Sequence, residues 1–289
     1  MKNIIIIGSG PAGISASLYT VRAGIETTII SNGESALLKT GKIENYYGFS
    51  GTGPELYEAG RRNASRLGVS FIDDEVVSVS SEGKITVTTT GGKYFADAVI
   101  LATGVSRTGA AIPGTRELEG RGVSFCAVCD GFFYRGRDVA VIGAGAYAKS
   151  EASELIPLAS SVTVLTNGDR PSAEFDKSVR VLTEKIVKIE GTDRVTGILL
   201  EDGTHVDAAG VFIALGTAGA EALAKKIGLL TEKGSIMTNP DMSTNVPGVF
   251  AAGDNTPGML QIAKAVCDGA AAGTSAIKYV RSIKNKEDK

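Results

Sequence analysis

The apolar positions of the N-terminal region follow the pattern of a parallel β-sheet interleaved with helices. Four consecutive isoleucines, Ile4 to Ile7, predict a strand buried on both faces, and an amphipathic run from Ser15 to Ala23 predicts the helix that follows it. Thr27 to Ile30 and Ala98 to Leu101 are further short apolar runs typical of buried strands. This order predicts a doubly wound α/β domain.

The same pattern begins again in the second half of the chain. Asp138 to Ile142 is a short apolar strand, and the helix that follows it is expected to end near Pro157. Val162 to Leu165 and Val211 to Leu215 predict the next strands. Together, the two regions predict an α/β fold with two doubly wound domains of the dinucleotide-binding type.

A glycine-rich loop joins the first strand to the first helix. Gly8-Ser9-Gly10-Pro11-Ala12-Gly13 is a G-x-G-x-x-G motif in strand–turn–helix context. The first glycine permits the turn, the second lets the backbone approach a pyrophosphate, and the third allows close packing of helix and strand. Glu34 follows the second strand and is placed to accept a ribose hydroxyl. These residues predict a nucleotide site.

The second unit carries a similar loop but not the residues that usually hold a nicotinamide cofactor. Gly143-Ala144-Gly145-Ala146-Tyr147-Ala148 is G-x-G-x-x-A, with the bulky Tyr147 where a pyrophosphate needs room. After the next strand an NADP site requires arginines and an NAD site an acidic side chain, but the chain has Thr166-Asn167-Gly168. We expect the fold of a dinucleotide domain without its nicotinamide clamp.

Redox chemistry is predicted for Cys126-Ala127-Val128-Cys129-Asp130-Gly131. Two cysteines three positions apart can close and reopen a small disulfide ring by thiol–disulfide exchange, and Asp130 is placed to carry the proton. Half a zinc site is one alternative, but Cys267 and His205 do not stand in ligand spacing. Two buried structural thiols are the other. We interpret the pair as redox-active and Cys267 as a core thiol.

Composition excludes some classes of protein but does not identify the function. The chain has 289 residues, of which 43% are hydrophobic and 21% charged, as in ordinary globular proteins of two domains. A net charge of −2 argues against general nucleic-acid affinity. Three cysteines in a chain of this length indicate a reducing compartment, so we expect a cytoplasmic protein. No apolar run approaches the length of a membrane span.

Taken in order, these motifs resemble the low-molecular-weight thioredoxin reductase family over almost the whole chain. The run Cys-Ala-Val-Cys-Asp-Gly-Phe-Phe-Tyr-Arg-Gly from Cys126 is highly specific for that family. The resemblance implies an FAD domain formed by residues 1–113 and 245–289, with a second domain, residues 114–244, inserted in it. It also implies FAD as the cofactor, thioredoxin as the partner, a homodimer, and no metal.

The resemblance further implies a role for each matching residue. Cys129 is expected to lie nearest the flavin, Cys126 to attack thioredoxin, and Asp130 to act as general acid. The expected cofactor-binding residues are Gly8, Gly10, Pro11, Ala12, Gly13, Glu34, Asn45, Ala102, Thr103, Gly104, Gly253, Asp254, Gln261 and Ile262.

Some positions depart from the family pattern and change the expected electron donor. Leu260 stands where the family has the arginine of an Arg-Gln pair, and Asn167 and Gly168 stand where it has NADPH-clamping arginines. In these departures the chain is similar to clostridial-type ferredoxin-dependent flavin thioredoxin reductases. The resemblance therefore implies electron flow from ferredoxin through FAD and the disulfide to thioredoxin.

Two alternatives stay open at the level of sequence. One is an NAD(P)H-dependent thioredoxin reductase, and the other is a flavin-binding redox sensor with little turnover. A set of arginines around the cysteines is a candidate docking face for an acidic ferredoxin, or else a group of scattered solvated side chains: Arg107, Arg116, Arg121, Arg135 and Arg137.

Overall fold

The structure is a computed structural model that describes residues 2–81, 84–104, 112–216 and 220–287. The chain divides into two compact units. The first unit combines Met1–Ser106 with Gly219–Lys289, and the second is Arg107–Ala218. The second unit is therefore an insertion in the first. Its start lies close to the expected boundary after residue 113, whereas its end comes earlier in the chain than the expected boundary after residue 244.

The first part of the first unit contains the elements β1 Asn3–Ile7, α1 Pro11–Arg22, β2 Glu26–Ser31, β3 Ile43–Tyr46, β4 Phe49–Gly51, α2 Gly53–Arg66, β5 Ser70–Asp73, β6 Val76–Ser80, β7 Ile85–Thr89, β8 Lys93–Ala96 and β9 Ala98–Leu101. The second unit contains β10 Val123–Ser124, α3 Ala127–Asp130, β11 Asp138–Ile142, α4 Ala146–Leu155, β12 Ser161–Leu165, β13 Arg180–Leu182, β14 Ile186–Gly191, β15 Val195–Leu200, β16 His205–Asp207 and β17 Gly210–Ile213. The chain then returns to the first unit with α5 Ala220–Lys226, β18 Thr231–Glu232, β19 Ser235–Ile236, β20 Val249–Ala251 and α6 Ile262–Glu287.

The first unit is built on a parallel sheet with strand order β20-β9-β1-β2-β5. The isoleucines of β1 lie in its centre, and Ile6, Ile29 and Ile100 are completely buried. The apolar run from Val69 to Val79 does not form one strand. It divides at Asp74 and Glu75, so that β5 joins the parallel sheet and β6 joins the antiparallel sheet β6-β7-β8.

The second unit repeats this plan with a parallel sheet of order β10-β17-β11-β12-β13. An antiparallel sheet, β14-β15-β16, belongs to the same unit. The hydrophobic core of this unit includes Ile142, Ile198 and Val211. The predicted α/β class with two doubly wound units is confirmed. Within the described ranges, no helix has both the length and the apolar character needed to cross a bilayer.

The residues between the observed end of the second unit, at 218, and the predicted boundary at 244 pack with the first unit because of contacts made far away in sequence. Lys226 on α5 donates from Nζ to the carbonyl of Val77 at 3.0 Å. Ile236 on β19 donates its backbone N–H to the carbonyl of Asn255 at 2.8 Å. Neither contact has a local sequence signal, so motif order alone does not reveal that these residues pack with the first unit.

Helices α1 and α6 pack very closely because small residues face each other. A Cβ atom added at Gly269 of α6 would lie 2.1 Å from the carbonyl oxygen of Ala12 on α1. One turn further, a Cβ atom at Gly273 would lie 2.7 Å from the carbonyl oxygen of Ala16. Both distances are shorter than any real Cβ contact, so the backbones of the two helices touch through glycine.

We expect Gly269→Ala to lower the free energy of unfolding by about 1–3 kcal/mol, the usual cost of overpacking. Alanine has the better helix propensity, by up to about 1 kcal/mol, but the clash with Ala12 outweighs this gain. Urea unfolding followed by circular dichroism measures the difference. Gly41→Ala is the control, because an added Cβ there meets no atom within 4 Å. Equal stability of the Gly269 variant and the parent would contradict the prediction.

Candidate active site

Most of the predicted cofactor residues lie at one edge of the parallel sheet of the first unit. The loop Gly8–Gly13 follows β1, the segment Ala102–Gly104 follows β9, and Gly253–Asp254 follows β20. Glu34 comes shortly after the end of β2. Because the strands are parallel, their carboxyl ends meet at the same edge, which is where ligands of such sheets bind.

The glycine loop has the geometry that a pyrophosphate site requires. Gly8 has a φ of +107°, and a Cβ atom on it would lie 2.3 Å from the carbonyl oxygen of Ala102. A Cβ atom on Gly13 would lie 2.0 Å from the carbonyl oxygen of Gly8. At Gly10, by contrast, the nearest atom is Ser35 Oγ at 3.7 Å. Gly8 and Gly13 are therefore needed for packing, and Gly10 leaves the backbone open to a ligand.

The helix that follows the loop is also suited to bind an anion. α1 begins at Pro11, and no side chain forms a cap at its N-terminus in the part of the chain that the structure describes. The first backbone N–H groups of a helix lack partners within the helix, and the helix dipole favours negative charge there. A phosphate group at this point would accept those hydrogen bonds.

The turn that contains Gly253 and Asp254 is held by two side chains of α6 that sequence reasoning missed. Lys264 Nζ donates to the carbonyl of Gly253 and to Thr256 Oγ1, both at 2.7 Å. Lys264 also forms an ion pair with Asp268, 2.9 Å from Nζ to Oδ2, and Asp268 accepts the N–H of Gly253 at 3.2 Å. The available sequence signal was a Lys–Asp pair spaced i,i+4 in a segment whose neighbouring residues are mostly small and apolar.

Two further predicted residues, far apart in sequence, meet directly. Asn45 Nδ2 donates to Gln261 Oε1 at 3.1 Å, immediately before Ile262 opens α6. A pocket of about 180 Å³ lies beside the glycine loop, and its lining includes Gly10, Pro11 and Ile262. Its other walls are mostly apolar or aromatic, which suits a flat ring system.

Three buried polar atoms at this edge have no hydrogen-bond partner among the described residues: Thr103 Oγ1, Asn255 Oδ1 and Glu75 Oε1. Thr103 was predicted as a cofactor residue, whereas Asn255 and Glu75 were not. Buried polar atoms without partners are rare, so these atoms fit groups supplied by a ligand. Glu75 had no sequence signal of its own, because it lies within the apolar run from Val69 to Val79.

Glu75 and the predicted ribose residue Glu34 follow neighbouring strands, because Ser31 at the end of β2 pairs with Asp73 at the end of β5. Burial raises the pKa of the Glu75 carboxyl, and the charges of Asp74 and Glu34 raise it further. Acidic oxygens at the ends of two adjacent strands can accept hydrogen bonds from the hydroxyl groups of a ribose.

In the second unit, the two predicted redox cysteines are bonded to each other. The Cys126–Cys129 disulfide joins Cα atoms 5.3 Å apart. Cys126 is 1% exposed, whereas Cys129 is an exposed residue. The backbone N–H of Cys129 donates to Cys126 Sγ at 3.2 Å. When the bond opens, this donor stabilises negative charge on the sulfur of Cys126.

Asp130 is connected to the cysteines through Ser124, which sequence reasoning missed. Ser124 Oγ donates to Asp130 Oδ2 at 2.6 Å and accepts the N–H of Cys126 at 3.1 Å. Asp130 also lines a groove of about 870 Å³ in the second unit, together with Tyr134. Burial raises the pKa of the Tyr134 hydroxyl, and the Asp130 charge adds to the effect.

The predicted arginine cluster is not a uniformly basic surface. Arg107 lies outside the described residues, and Arg135 stacks on the ring of Phe132, with 5.4 Å from its guanidinium carbon to the ring centre. Arg121 and Arg137 line the groove beside Asp130, but so do other aspartates, namely Asp138, Asp193 and Asp207. The groove is therefore mixed in charge.

The prediction that Cys267 is a core thiol is wrong. Cys267 is exposed on α6. The adjacent residues Asp268 and Gly269 face the turn at Gly253 and α1, so the helix turns Cys267 away from the core. A run of small residues around Cys267 suggested burial, but only one face of α6 packs against the first unit.

Comparison with known proteins identifies the family. The model of the pyridine nucleotide-disulphide oxidoreductase family matches residues 2–269. A thioredoxin reductase of Listeria monocytogenes is 34% identical over 307 aligned positions, covering 98% of this chain and 95% of the relative. The chain therefore belongs to the pyridine nucleotide-disulphide oxidoreductases and, within them, to the low-molecular-weight thioredoxin reductases.

Solved structures agree with this assignment. The atypical thioredoxin reductase TRi from Desulfovibrio vulgaris Hildenborough is 40% identical, with a TM-score of 0.91 and coverage of 98% of this chain and 99% of that one. A ferredoxin-flavin thioredoxin reductase from Clostridium acetobutylicum is 31% identical, with a TM-score of 0.73 and coverage of 97% and 98%.

Family membership implies FAD as the cofactor, and the residues at the sheet edge fit this group. The open backbone at Gly10 and the uncapped start of α1 suit the pyrophosphate. Three buried polar atoms at this edge have no hydrogen-bond partner among the described residues and fit polar groups of the cofactor: Thr103 Oγ1, Asn255 Oδ1 and Glu75 Oε1. The expectation of a flavoprotein disulfide reductase is thus confirmed at the level of family and cofactor.

We expect Glu75→Gln to increase stability at pH 7. A raised pKa in the fold means that deprotonation of Glu75 disfavours the folded state, and this cost is present above the folded-state pKa. The advantage of the glutamine variant should shrink as the pH falls and vanish below about 4.3, where the carboxyl is protonated in both states. Urea midpoints at pH 7 and pH 4, at matched FAD content, measure the effect.

Glu58→Gln is the control, because Glu58 is an exposed glutamate on α2 whose replacement removes no buried contact. An advantage of Glu75→Gln that has the same size at both pH values would contradict the assigned cause.

Proposed function

We propose that this protein is a ferredoxin-dependent thioredoxin reductase. FAD, when bound, accepts electrons singly from reduced ferredoxin and passes them on in pairs. The Cys126–Cys129 disulfide is the acceptor within the chain, and thioredoxin is the final acceptor. The choice of donor rests on the second glycine loop and on the turn after β12, because both are engaged in contacts within the second unit.

The turn after β12 uses its side chains for its own structure. Asn167 has a φ of +55°, and its Oδ1 accepts the N–H of Ile186 at 2.8 Å. Thr166 is completely buried and donates from Oγ1 to the carbonyl of Asp169 at 2.6 Å. A dinucleotide site needs an acidic or arginine side chain here that reaches the ribose. Asn167 and Thr166 supply neither.

The loop Gly143–Ala148 is also engaged by other parts of the second unit. Ser172 donates from its backbone N–H to the carbonyl of Ala144 at 2.8 Å, and its Oγ lies 3.3 Å from a Cβ atom built on Gly145. Tyr147 is only 2% exposed. Ser172 thus packs against Gly145, the glycine that should receive the pyrophosphate.

The name of one similar structure supports the same donor, because it is called a ferredoxin-flavin thioredoxin reductase. Another is named an atypical thioredoxin reductase, a name that does not specify the donor. The rival donor is a pyridine nucleotide, which the name of the matching family favours.

Reduction of thioredoxin follows from disulfide exchange. Two electrons and two protons open the Cys126–Cys129 bond to a dithiol, with Asp130 placed to hold a proton beside the sulfurs. The Cys126 sulfur, favoured as the thiolate by the Cys129 N–H, attacks one sulfur of the thioredoxin disulfide and forms a mixed disulfide. Attack by Cys129 on Cys126 then releases the reduced thioredoxin and restores the starting bond.

The electron donor can be tested directly. Reduced ferredoxin, added anaerobically to the holoprotein, should bleach the flavin absorption band within the time of mixing, whereas NADPH and NADH should not. Steady reduction of thioredoxin by reduced ferredoxin also distinguishes an enzyme from a redox sensor with little turnover. Fast bleaching by either nicotinamide would overturn the proposed donor.

The roles of the two cysteines give a second test. We expect Cys126→Ser to abolish thioredoxin reduction while flavin reduction by ferredoxin continues. Cys129→Ser should instead trap a mixed disulfide between Cys126 and thioredoxin, detectable by non-reducing electrophoresis. Because Cys129 is the exposed member of the pair, trapping by Cys126→Ser instead would reverse the roles. Cys267→Ser, at the remaining cysteine of the sequence, is the control and should behave as the parent.

We also propose that the protein is cytoplasmic, as its low cysteine count indicates, and that it is a homodimer, as its family resemblance implies. Sedimentation equilibrium of the holoprotein at micromolar concentration tests the oligomeric state, and fractionation of the source cells tests the compartment.

A further inference from the structure

Two side chains on one face of α4 hold the backbone on both sides of Cys126. Tyr147 donates from its hydroxyl to the carbonyl of Phe125 at 2.9 Å. Glu151, one helical turn further along, accepts the backbone N–H of Ala127 at 2.6 Å from its Oε2. Residues four apart on a helix lie on the same face, so the two contacts form one arrangement. We call Tyr147 and Glu151 the α4 clamp.

The α4 clamp is buried and closely fitted. Tyr147 is 2% exposed and Glu151 is completely buried, and Ala127 between them and the disulfide is 1% exposed. The helix that carries them starts directly after the second glycine loop. In a dinucleotide domain the first turn of this helix faces the cofactor. Here Tyr147, in the same turn, binds the segment that carries Cys126.

We propose that Tyr147 and Glu151 are positioning residues for the Cys126–Cys129 disulfide, and that Glu151 keeps this disulfide strongly reducing. The proposal rests on disulfide exchange by Cys126 and Cys129 in thioredoxin reduction, and it does not depend on the identity of the electron donor.

The direction of the effect follows from electrostatics at the start of α3. Cys126 is the residue before α3, and backbone N–H groups at such a position stabilise a thiolate. The N–H of Ala127 is taken by Glu151, so one of these donors is already used. The acidic side chain also lies one peptide group from the sulfur that must become negative, where a negative charge opposes formation of the thiolate. Both effects disfavour the dithiol form, and a disulfide whose reduced form is disfavoured has a lower reduction potential.

A low potential suits the reaction. Electrons leave the Cys126–Cys129 pair for the disulfide of thioredoxin, so the transfer is favourable only if the pair is at least as reducing as its acceptor. The rigid hold on Phe125 and Ala127 serves the same step, because exchange needs the attacking sulfur to be held in line with the disulfide under attack.

Glu151→Gln tests the charge, because glutamine keeps the size of the side chain and an oxygen that can accept the Ala127 N–H. The holoprotein is equilibrated anaerobically in mixtures of reduced and oxidised dithiothreitol, and the state of the cysteines is read by maleimide labelling and mass spectrometry. We expect the equilibrium to shift toward the dithiol by roughly tenfold, a rise in potential of about 30 mV. This measurement requires neither ferredoxin nor thioredoxin, so its outcome is independent of the proposed donor.

Glu154→Gln is the matched control, since Glu154 is exposed on the same helix. It should leave the equilibrium unchanged. Tyr147→Phe removes one hydroxyl and no charge, and tests the positioning role by itself. We expect it to speed amide hydrogen exchange in the peptide that spans residues 125–130 several-fold, with the FAD content of the parent retained.

Two results would overturn the proposal. One is a Glu151→Gln equilibrium constant within twofold of the parent, which would remove the role of the charge. The other is unchanged amide exchange in Tyr147→Phe, which would show that the hydroxyl does not hold the segment. If Glu151→Gln loses its FAD or unfolds, the exchange result with Tyr147→Phe still decides the positioning role.

Discussion

The architecture depends on one close contact that occurs in both units. The first glycine of each loop lies so near a carbonyl at the end of a neighbouring strand that no side chain fits between them. An added Cβ atom would lie 2.3 Å from the Ala102 oxygen at Gly8 and 2.1 Å from the Ala214 oxygen at Gly143. This contact brings the loop, the helix that follows it and the end of the next strand to one edge of the sheet. The functional residues of each unit are arranged around that edge.

The two units use the same local arrangement for different tasks. In the first, the space at Gly10 and the uncapped start of α1 remain open, and the chain around them supplies polar atoms that fit FAD. In the second, Ser172 packs against the equivalent glycine, and Tyr147 and Glu151 of α4 bind the backbone on both sides of Cys126. A dinucleotide-type fold therefore serves as a rigid support for sulfur chemistry. Rigid elements position reacting groups more accurately than loops do, which is the advantage of this use.

Much of the cofactor site could be predicted because its residues belong to motifs with local spacing. Gly8 to Gly13, Ala102 to Gly104 and Gly253 with Asp254 each follow a strand that the apolar pattern reveals, so their meeting at one edge follows from parallel order. The residues that hold these motifs in place could not be found in this way. Lys264 and Asp268 contact the Gly253 turn from within a helix, and Ser124 reaches Asp130 across six positions. Such side chains have no spacing rule, because their role depends on where the backbone brings them.

The sequence by itself determined the fold class, the two glycine loops, the redox cysteine pair and the family. Each depends on periodicity or on spacing within a few residues, which covalent geometry and hydrogen-bonding pattern constrain directly. Only the tertiary structure decided that α5 and β19 pack with the first unit, that Cys267 is exposed, and that Glu75 is half-buried near Glu34. It also decided that Tyr147, which looked like an obstacle in a nucleotide loop, is a hydrogen-bond donor to the segment that carries Cys126. These properties arise from contacts between residues far apart in the chain, and such contacts exist only once both sheets have formed.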